Sequence, residues 1–415
     1  MIFMNILYKY YLFFIFQAYF GVIYSEILYS YDFYYARVFK LYNGNIVMAG
    51  NKGINTYDKT GISLLYNYTF DSVQIAKESD GYYTNIVQFP KEYNGLVIVL
   101  VYHILYYLNS DGKYLYKYEL NLDFDTSNFQ YYTIVPYIFK DDKYQFILGY
   151  INNNKKPCLL QYITNPKNNE TTTNNSYIFD EDNKDRSSVA YNYGINCGIM
   201  NHLNYGNILI CFYQNSYPLQ IELKAFKLEN KMLENIPDIS CNFNGAGYGL
   251  KTFISIDKKK GIICYLSMID EYNIGYCSIY DIDKNEFVKF GKYLSQKCSI
   301  SNSYISFDYF QETKEYIFSC ANYQTYINLI KFDQNFNIIN IESDGLVKND
   351  TIFSIEGCYQ IIFYSIIFIS QEYKIIGSLE CNTKSTKLIT VPSELKPEII
   401  YTESPYDYEE EKGNL

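Results

Sequence analysis

Lys297–Ser343 reads KCSISNSYISFDYFQETKEYIFSCANYQTYINLIKFDQNFNIINIES. Aromatic and β-branched residues gather in four short runs, Ser299–Tyr309, Glu315–Cys320, Tyr326–Phe332 and Phe336–Ser343, separated by the polar stretches QETK, ANYQ and DQN. The runs fit a pleated, half-buried surface, and the Asn, Asp, Gln and Ser between them are the residues that turns use. The stretch therefore predicts one four-stranded antiparallel unit.

Working outward, the pattern recurs. Towards the N-terminus it gives Ala36–Leu41, Asn45–Gly50, Gly53–Tyr57 and Ser63–Thr69, then Asn85–Phe89, Leu96–Val101, Ile104–Leu108 and Tyr114–Leu120, the last two joined by the tight-turn sequence Asn109-Ser-Asp-Gly112. A third unit takes Tyr131–Phe139, Tyr144–Tyr150, Cys158–Ile163 and a weak strand at Tyr177–Phe179; Asn165–Ser176 and Asp180–Arg186 hold too little apolar surface to offset ordering and are expected as long mobile loops. The fourth comprises Cys197–Met200, Asn207–Tyr213, Leu219–Leu228 and Lys231–Ile236; the fifth, Tyr248–Ile256, Gly261–Leu266, Gly275–Asp283 and Glu286–Tyr293. Beyond the sixth, the chain offers only Cys358–Ile369, Tyr373–Leu379 and Lys387–Val391 before Pro392 and Pro397 stop it. Ile27–Tyr34 is a strand without a hairpin partner, and it is expected to complete that last unit, because a ring left open would present raw sheet edges. Repeats of roughly fifty residues, four strands each, predict an all-β fold: a β-propeller of about seven four-stranded antiparallel blades, give or take one, closed by the N-terminal strand.

Residues 1–25 read as a secretory signal peptide: Lys9 precedes the apolar run Tyr10–Tyr24, and Ser25 follows. The run is short for a membrane span. Ile361–Ile369 is bounded by Gln360 and Gln371 and reads as buried strand. The propeller is thus expected over residues 26–397, with 398–415 an acidic, disordered tail and no membrane span after signal cleavage. A net charge of −10, with no basic stripe, argues against nucleic acid as a partner. The 51 Tyr and 28 Phe, with no Trp, reflect codon bias together with strand propensity.

A secreted chain makes its ten cysteines readable as disulfides. Residues equidistant from a hairpin turn face each other at bridging distance. Cys197 and Cys211 flank NYGN, Cys298 and Cys320 nearly flank QETK, and Cys358 and Cys381 flank SQEY, which suggests three bridges at equivalent places. For the remaining four the alternatives are Cys264–Cys277 with Cys158–Cys241, or Cys241–Cys264 with Cys158–Cys277. Without a CxxC, and with only His103 and His202 to supply imidazole, a zinc cluster is not expected, and no metal or other cofactor is assigned. Asn67, Asn169, Asn174 and Asn349 head Asn-X-Ser/Thr sequons for glycosylation.

No catalytic constellation emerges. His103 lies in the apolar run VLVYHILYYL and His202 beside a hairpin turn, so both read as structural. The Gly245-Ala-Gly247-Tyr-Gly249 cluster does not match GxGxxG and precedes a strand. Asp281-Ile-Asp283-Lys-Asn285 lacks the central Gly and closing Glu of a calcium loop; Asp58, Asp111 and Asp333 fall at the same turn of other units, so turn chemistry covers all four. The connections between second and third strands do share a chemistry. They place Tyr213, Gln214, Asn215, Tyr217, Asp270, Glu271, Tyr272, Tyr323, Gln324, Tyr326 and Asn382 on one face, and Tyr with Asn and Gln makes adaptable recognition surfaces.

The units lack the Trp-Asp dipeptide of WD40 repeats and the Gly-Gly pairs of kelch repeats. In its cysteine-bearing four-stranded units the chain resembles the secreted β-propeller ectodomains of protozoan surface proteins, a resemblance of pattern that lends no functional residues. The sequence thus leads to a secreted or surface-associated, non-enzymatic propeller binding a protein or glycan through its funnel-rim loops. The alternatives are a secreted hydrolase with carboxylates in the central channel, or the truncated ectodomain of a longer membrane protein.

Overall fold

The computed structural model describes residues 26–31, 37–50, 52–61, 63–70, 84–101, 103–121, 133–140, 143–152, 156–179, 195–216, 219–228, 233–244, 251–255, 257–267, 274–294, 305–310, 314–321, 327–334, 336, 361–368, 375–381 and 385–391. These residues form antiparallel strands and a single 3-10 turn at Lys91–Tyr93; there is no α-helix among them, so none long and apolar enough to cross a membrane. The signal-peptide segment 1–25 and the tail 398–415 lie outside them.

Five sheets consist of four consecutive strands each. The first holds β2 (Arg37–Lys40), β3 (Ile46–Gly50), β4 (Gly53–Tyr57) and β5 (Leu64–Thr69); the second, β6 (Thr84–Gln88), β7 (Val97–Val101), β8 (Ile104–Leu108) and β9 (Tyr114–Glu119). The third holds β10 (Thr133–Lys140), β11 (Lys143–Ile151), β12 (Pro157–Asn165) and β13 (Glu170–Ile178). The fourth follows with β14 (Ile195–His202), β15 (Gly206–Ser216), β16 (Leu219–Leu228) and β17 (Leu233–Asn244), and the fifth with β18 (Lys251–Ile254), β19 (Lys260–Ser267), β20 (Ile274–Asp281) and β21 (Glu286–Leu294). A sixth sheet shows β22 (Ile305–Phe310), β23 (Glu315–Ala321) and β24 (Ile327–Phe332); the expected fourth strand lies outside the described residues except for Phe336. In the last sheet β25 (Ile361–Phe368), β26 (Ile375–Cys381) and β27 (Ser385–Val391) are followed at the outer edge by β1 (Glu26–Tyr31), which pairs antiparallel with β27. First strands neighbour first strands: β2 meets β6, β6 meets β10, β10 meets β14, β14 meets β18, β22 meets β25, and β25 meets β2. The first strands are therefore inward and the fourth strands are the outer ones, with no described strand beyond them. This is β-propeller architecture.

Face-to-face stacking explains why the middle strands are apolar on both faces. In β7, Val97, Val99 and Val101 pack towards the first sheet while Ile98 and Leu100 pack towards the third. In β15, Leu209, Cys211 and Tyr213 face the third sheet, and Ile208, Ile210 and Phe212 face the fifth. Period-two alternation thus serves two cores at once, and VIVLV and ILICFY read as unbroken apolar runs.

Turns also pin one sheet to the next. Asn43 Nδ2 donates to Asp111 Oδ1 at 3.0 Å, and Thr56 Oγ1 donates to the Gly112 carbonyl at 2.8 Å, tying the first sheet to the tight turn of the second. Gly112 has φ +88°, and a Cβ there would meet Thr56 at 2.6 Å, so both conformation and space require glycine. Asn285 Nδ2 reaches the Asp238 carbonyl at 2.9 Å between the fifth and fourth sheets.

The third sheet corrects one expectation. Asn165–Ser176 is no long mobile loop: Pro166–Asn169 is a turn and β13 begins at Glu170. An outer strand needs little apolar surface, and β-branched Thr171, Thr172 and Thr173 suit it. Only Thr171 of β13 is buried, where its hydroxyl donates to the Tyr107 oxygen at 3.0 Å and lies 2.9 Å from Thr164 Oγ1. Tyr116, stacked on Tyr107 at 4.4 Å between ring centroids, joins the network through a hydrogen bond between its hydroxyl and that of Thr164.

Candidate functional site

The connections between second and third strands were the expected recognition face. Tyr217, Asp270, Glu271, Tyr272, Tyr323, Gln324, Tyr326 and Asn382 lie outside the described residues. Gln214 and Asn215 belong to β15, opposite Ile221 and Gln220, since the strand runs on to Ser216. Tyr213 is not a rim residue. It is fully buried on the inward phase set by Leu209 and Cys211, packs edge-on against Phe179 at 5.0 Å, and its hydroxyl donates to Glu222 Oε2. The sequence puts Tyr213 both at the end of the predicted strand Asn207–Tyr213 and in the connection that follows; β15 runs three residues further, so Tyr213 lies within the strand, in the phase of Leu209 and Cys211.

What is described of this face is polar. His103, between β7 and β8, has its Nε2 3.1 Å from Glu119 Oε1. Asn152, after β11, accepts from the Lys156 backbone N–H at 2.9 Å through Oδ1, closing its own loop. At the opposite end of the sheets, in the β14–β15 connection, His202 works in a turn, its Nδ1 accepting from the Asn204 N–H at 3.1 Å. The acidic turns between third and fourth strands, at that same opposite end, behave as their sequences suggest: Asp281 Oδ1 accepts from the Asp283 and Lys284 N–H groups, Asp58 Oδ1 from Thr60 and Ser63, and Asp283 pairs with Lys259 Nζ at 3.0 Å. The Gly245–Gly249 cluster lies outside the described residues, and among those described no three His, Cys, Asp or Glu side chains gather.

On the inward strands β2, β6, β10, β14, β18, β22 and β25, one carboxylate residue occurs among the described residues, Asp308 of β22.

The cysteines divide. Cys197 and Cys211 are bonded, directly opposite on β14 and β15 with Cα atoms 4.1 Å apart. Cys264 and Cys277 occupy the same kind of opposed position on β19 and β20. The residue opposite Cys320 is Ile305 and the residue opposite Cys381 is Ile361, so equidistance from the turn does not extend to those two; Cys298 and Cys358 lie outside the described residues. On β17, Cys241 is opposite Leu223. Cys158 is a free, buried thiol in place of the expected bridge to Cys241 or Cys277. Burial pushes its pKa up to about 11, so it is protonated and unreactive at neutral pH.

A feature that the sequence reading did not find lies on the opposite face, at the turn end of the second and third sheets. Asn94, Leu96, Asn109, Ser110, Leu115, Tyr144, Pro166 and Lys167 line a cleft of about 250 Å³. Its walls come from three separate connections and the start of β11, which no local motif announces. Its size falls below the usual range for a small-molecule site.

No protein-family model matches the chain, and no curated protein is significantly similar to it. Among solved structures it is similar to Sqt1 from Saccharomyces cerevisiae, at 8% identity over 90% of this chain and 98% of that one, with a TM-score of 0.47. It is also similar to the WD40 domain of SCAP from fission yeast, at 9% identity over 89% and 87% of the two chains, TM-score 0.44. The extracellular domain of the one-component system BT4673 from B. thetaiotaomicron matches at 13% identity over 89% of this chain and 39% of that one, TM-score 0.43. No residue role is carried over from these proteins.

Proposed function

We propose that this chain is a secreted or surface-associated, non-enzymatic β-propeller, its sheets closed into a seven-bladed ring, that binds a protein or glycan through the connections between its second and third strands. The β-propeller architecture carries this reading, because it gathers the connections between second and third strands of successive sheets at one end of those sheets. The Tyr-, Asn- and Gln-rich composition of those connections supports recognition by flat contact and hydrogen bonding.

The test is capture. The full chain, displayed on beads, is exposed to a glycan array and to cell-surface extracts with cross-linking, beside a variant carrying Tyr217→Ser, Tyr272→Ser and Tyr323→Ser. Loss of a specific ligand by the variant, with an unchanged circular-dichroism spectrum, is the expected result. Equal capture by the two proteins removes the rim assignment, and glycan hydrolysis abolished by Asp308→Asn overturns the non-enzymatic reading.

A further inference from the structure

Resting on the secreted reading, we propose that Asn67 on β5 and Asn174 on β13 carry N-linked glycans that cover the outer edges of the first and third sheets, beyond which no described strand lies. A free edge strand presents a row of N–H and C=O groups to any other strand, and chains blunt it with charge or proline. The outer strands β9, β17 and β21 follow that rule: β9 holds Lys117 and Glu119, β17 holds Glu234, Pro237 and Asp238, and β21 holds Glu286, Lys289 and Lys292. The other two outer strands of the five consecutive-strand sheets follow it least. β5 is Leu-Leu-Tyr-Asn-Tyr-Thr, with no charge and no proline, and Leu64 (48%), Leu65 (44%) and Tyr66 (37%) are exposed on it. After Glu170 at its start, β13 has no charged residue, and Ile178 is 44% exposed near its end. These two strands are the ones that contain sequons, Asn67-Tyr-Thr69 and Asn174-Asn-Ser176, and both asparagines are exposed.

Local geometry suits the modification. Thr69 Oγ1 donates to Asn67 Oδ1 at 3.1 Å, so the two sequon side chains are on the same side of the strand. Asn174 Nδ2 donates to Gln161 Oε1 at 3.3 Å, a bond that a glycosylated amide retains because it keeps one N–H. In the transfer, Nδ2 bonds to the anomeric carbon of a lipid-linked oligosaccharide pyrophosphate, the carbon–oxygen bond to pyrophosphate breaks, and Nδ2 gives up one proton. A third exposed sequon residue, Asn169, sits in the turn before β13 at φ 56° and covers no edge.

The experiment uses the full chain with a heterologous secretory leader added ahead of Met1, in cultured eukaryotic cells, on an Asn169→Gln and Asn349→Gln background. Treating the luminal or secreted protein with peptide N-glycosidase is expected to give two mobility steps. Asn67→Gln and Thr69→Ala should each remove one of them, Thr69→Ser should keep it, and Asn174→Gln should remove the other. Luminal protein unmodified at Asn67 or at Asn174, by peptide mass spectrometry after deglycosylation in heavy-oxygen water, overturns the proposal for that edge. The same chain without the added leader reads secretion separately: retention in the cytosol there defeats the secreted reading while the edge result stands. Edge cover itself predicts that protein lacking both glycans elutes as larger species in size-exclusion chromatography, and a profile identical to that of the glycosylated protein overturns it.

Discussion

The second and fourth sheets solve one problem by different means. In the fourth sheet a disulfide joins Cys197 to Cys211 across the β14–β15 hairpin, a tie between residues fourteen positions apart within one sheet. The second sheet has no cysteine; its β8 and β9 present stacked Tyr107 and Tyr116, whose hydroxyls meet Thr164 and Thr171 of the third sheet. The covalent tie limits the unfolded chain, whereas the tyrosine network rewards only the folded one, because its members are 48 to 64 positions apart. One device secures a hairpin and the other secures two sheets to each other.

The largest effect expected is on the network. Tyr107→Ala removes a fully buried aromatic ring and leaves Thr171 short of a partner, and should cost about 3–5 kcal/mol in urea unfolding. Tyr116→Phe, which keeps the ring, should cost about 1–3 kcal/mol. A loss equal to that of Tyr107→Ala would mean that the hydroxyls, not the packing, hold the sheets. Next comes the bridge: replacing Cys197 and Cys211 together with Ala should cost about 2–4 kcal/mol. If the double replacement does not lower stability, the comparison fails on the side of the fourth sheet.

The smallest effect concerns titration. Burial raises Tyr107 well above its ordinary value of 10.0, raises Tyr116 and Tyr162 too, and lifts Cys158 from 9.0 to about 11. For each of these groups the unfolded chain releases its proton first, so their contribution is intact below about pH 9 and falls as pH rises through the folded values. Stability measured from pH 8 to 11 should therefore decline, less steeply in Tyr107→Phe than in wild type, and Cys158 should resist alkylation at pH 7 until the protein unfolds.

How much of this was legible depended on sequence distance. Strands such as Gly53–Tyr57, Ile104–Leu108 and Leu219–Leu228 have the bounds that alternation and turn residues mark, and Cys197–Cys211 followed from counting outward from a turn. Errors arose where the deciding partner was remote. The Thr-rich segment at β13 looked too polar to order, yet an outer strand is held by backbone pairing with β12 and by Thr171 reaching Tyr107. Tyr213, the last residue of a predicted strand, was counted with the recognition loop, yet it faces the third sheet and belongs to the core shared with it.

By itself, then, the sequence determined the local quantities: strands, turns, the four-strand repeat and the opposed cysteines of one hairpin, all set by periodicity and backbone geometry over a few residues. The tertiary structure decided which strands face inward, which tyrosines are core, that Cys158 stays a thiol, and which strands lie at the outer edges. Those properties belong to pairs of sheets and to exposure, and depend on which distant segments the packing brings together.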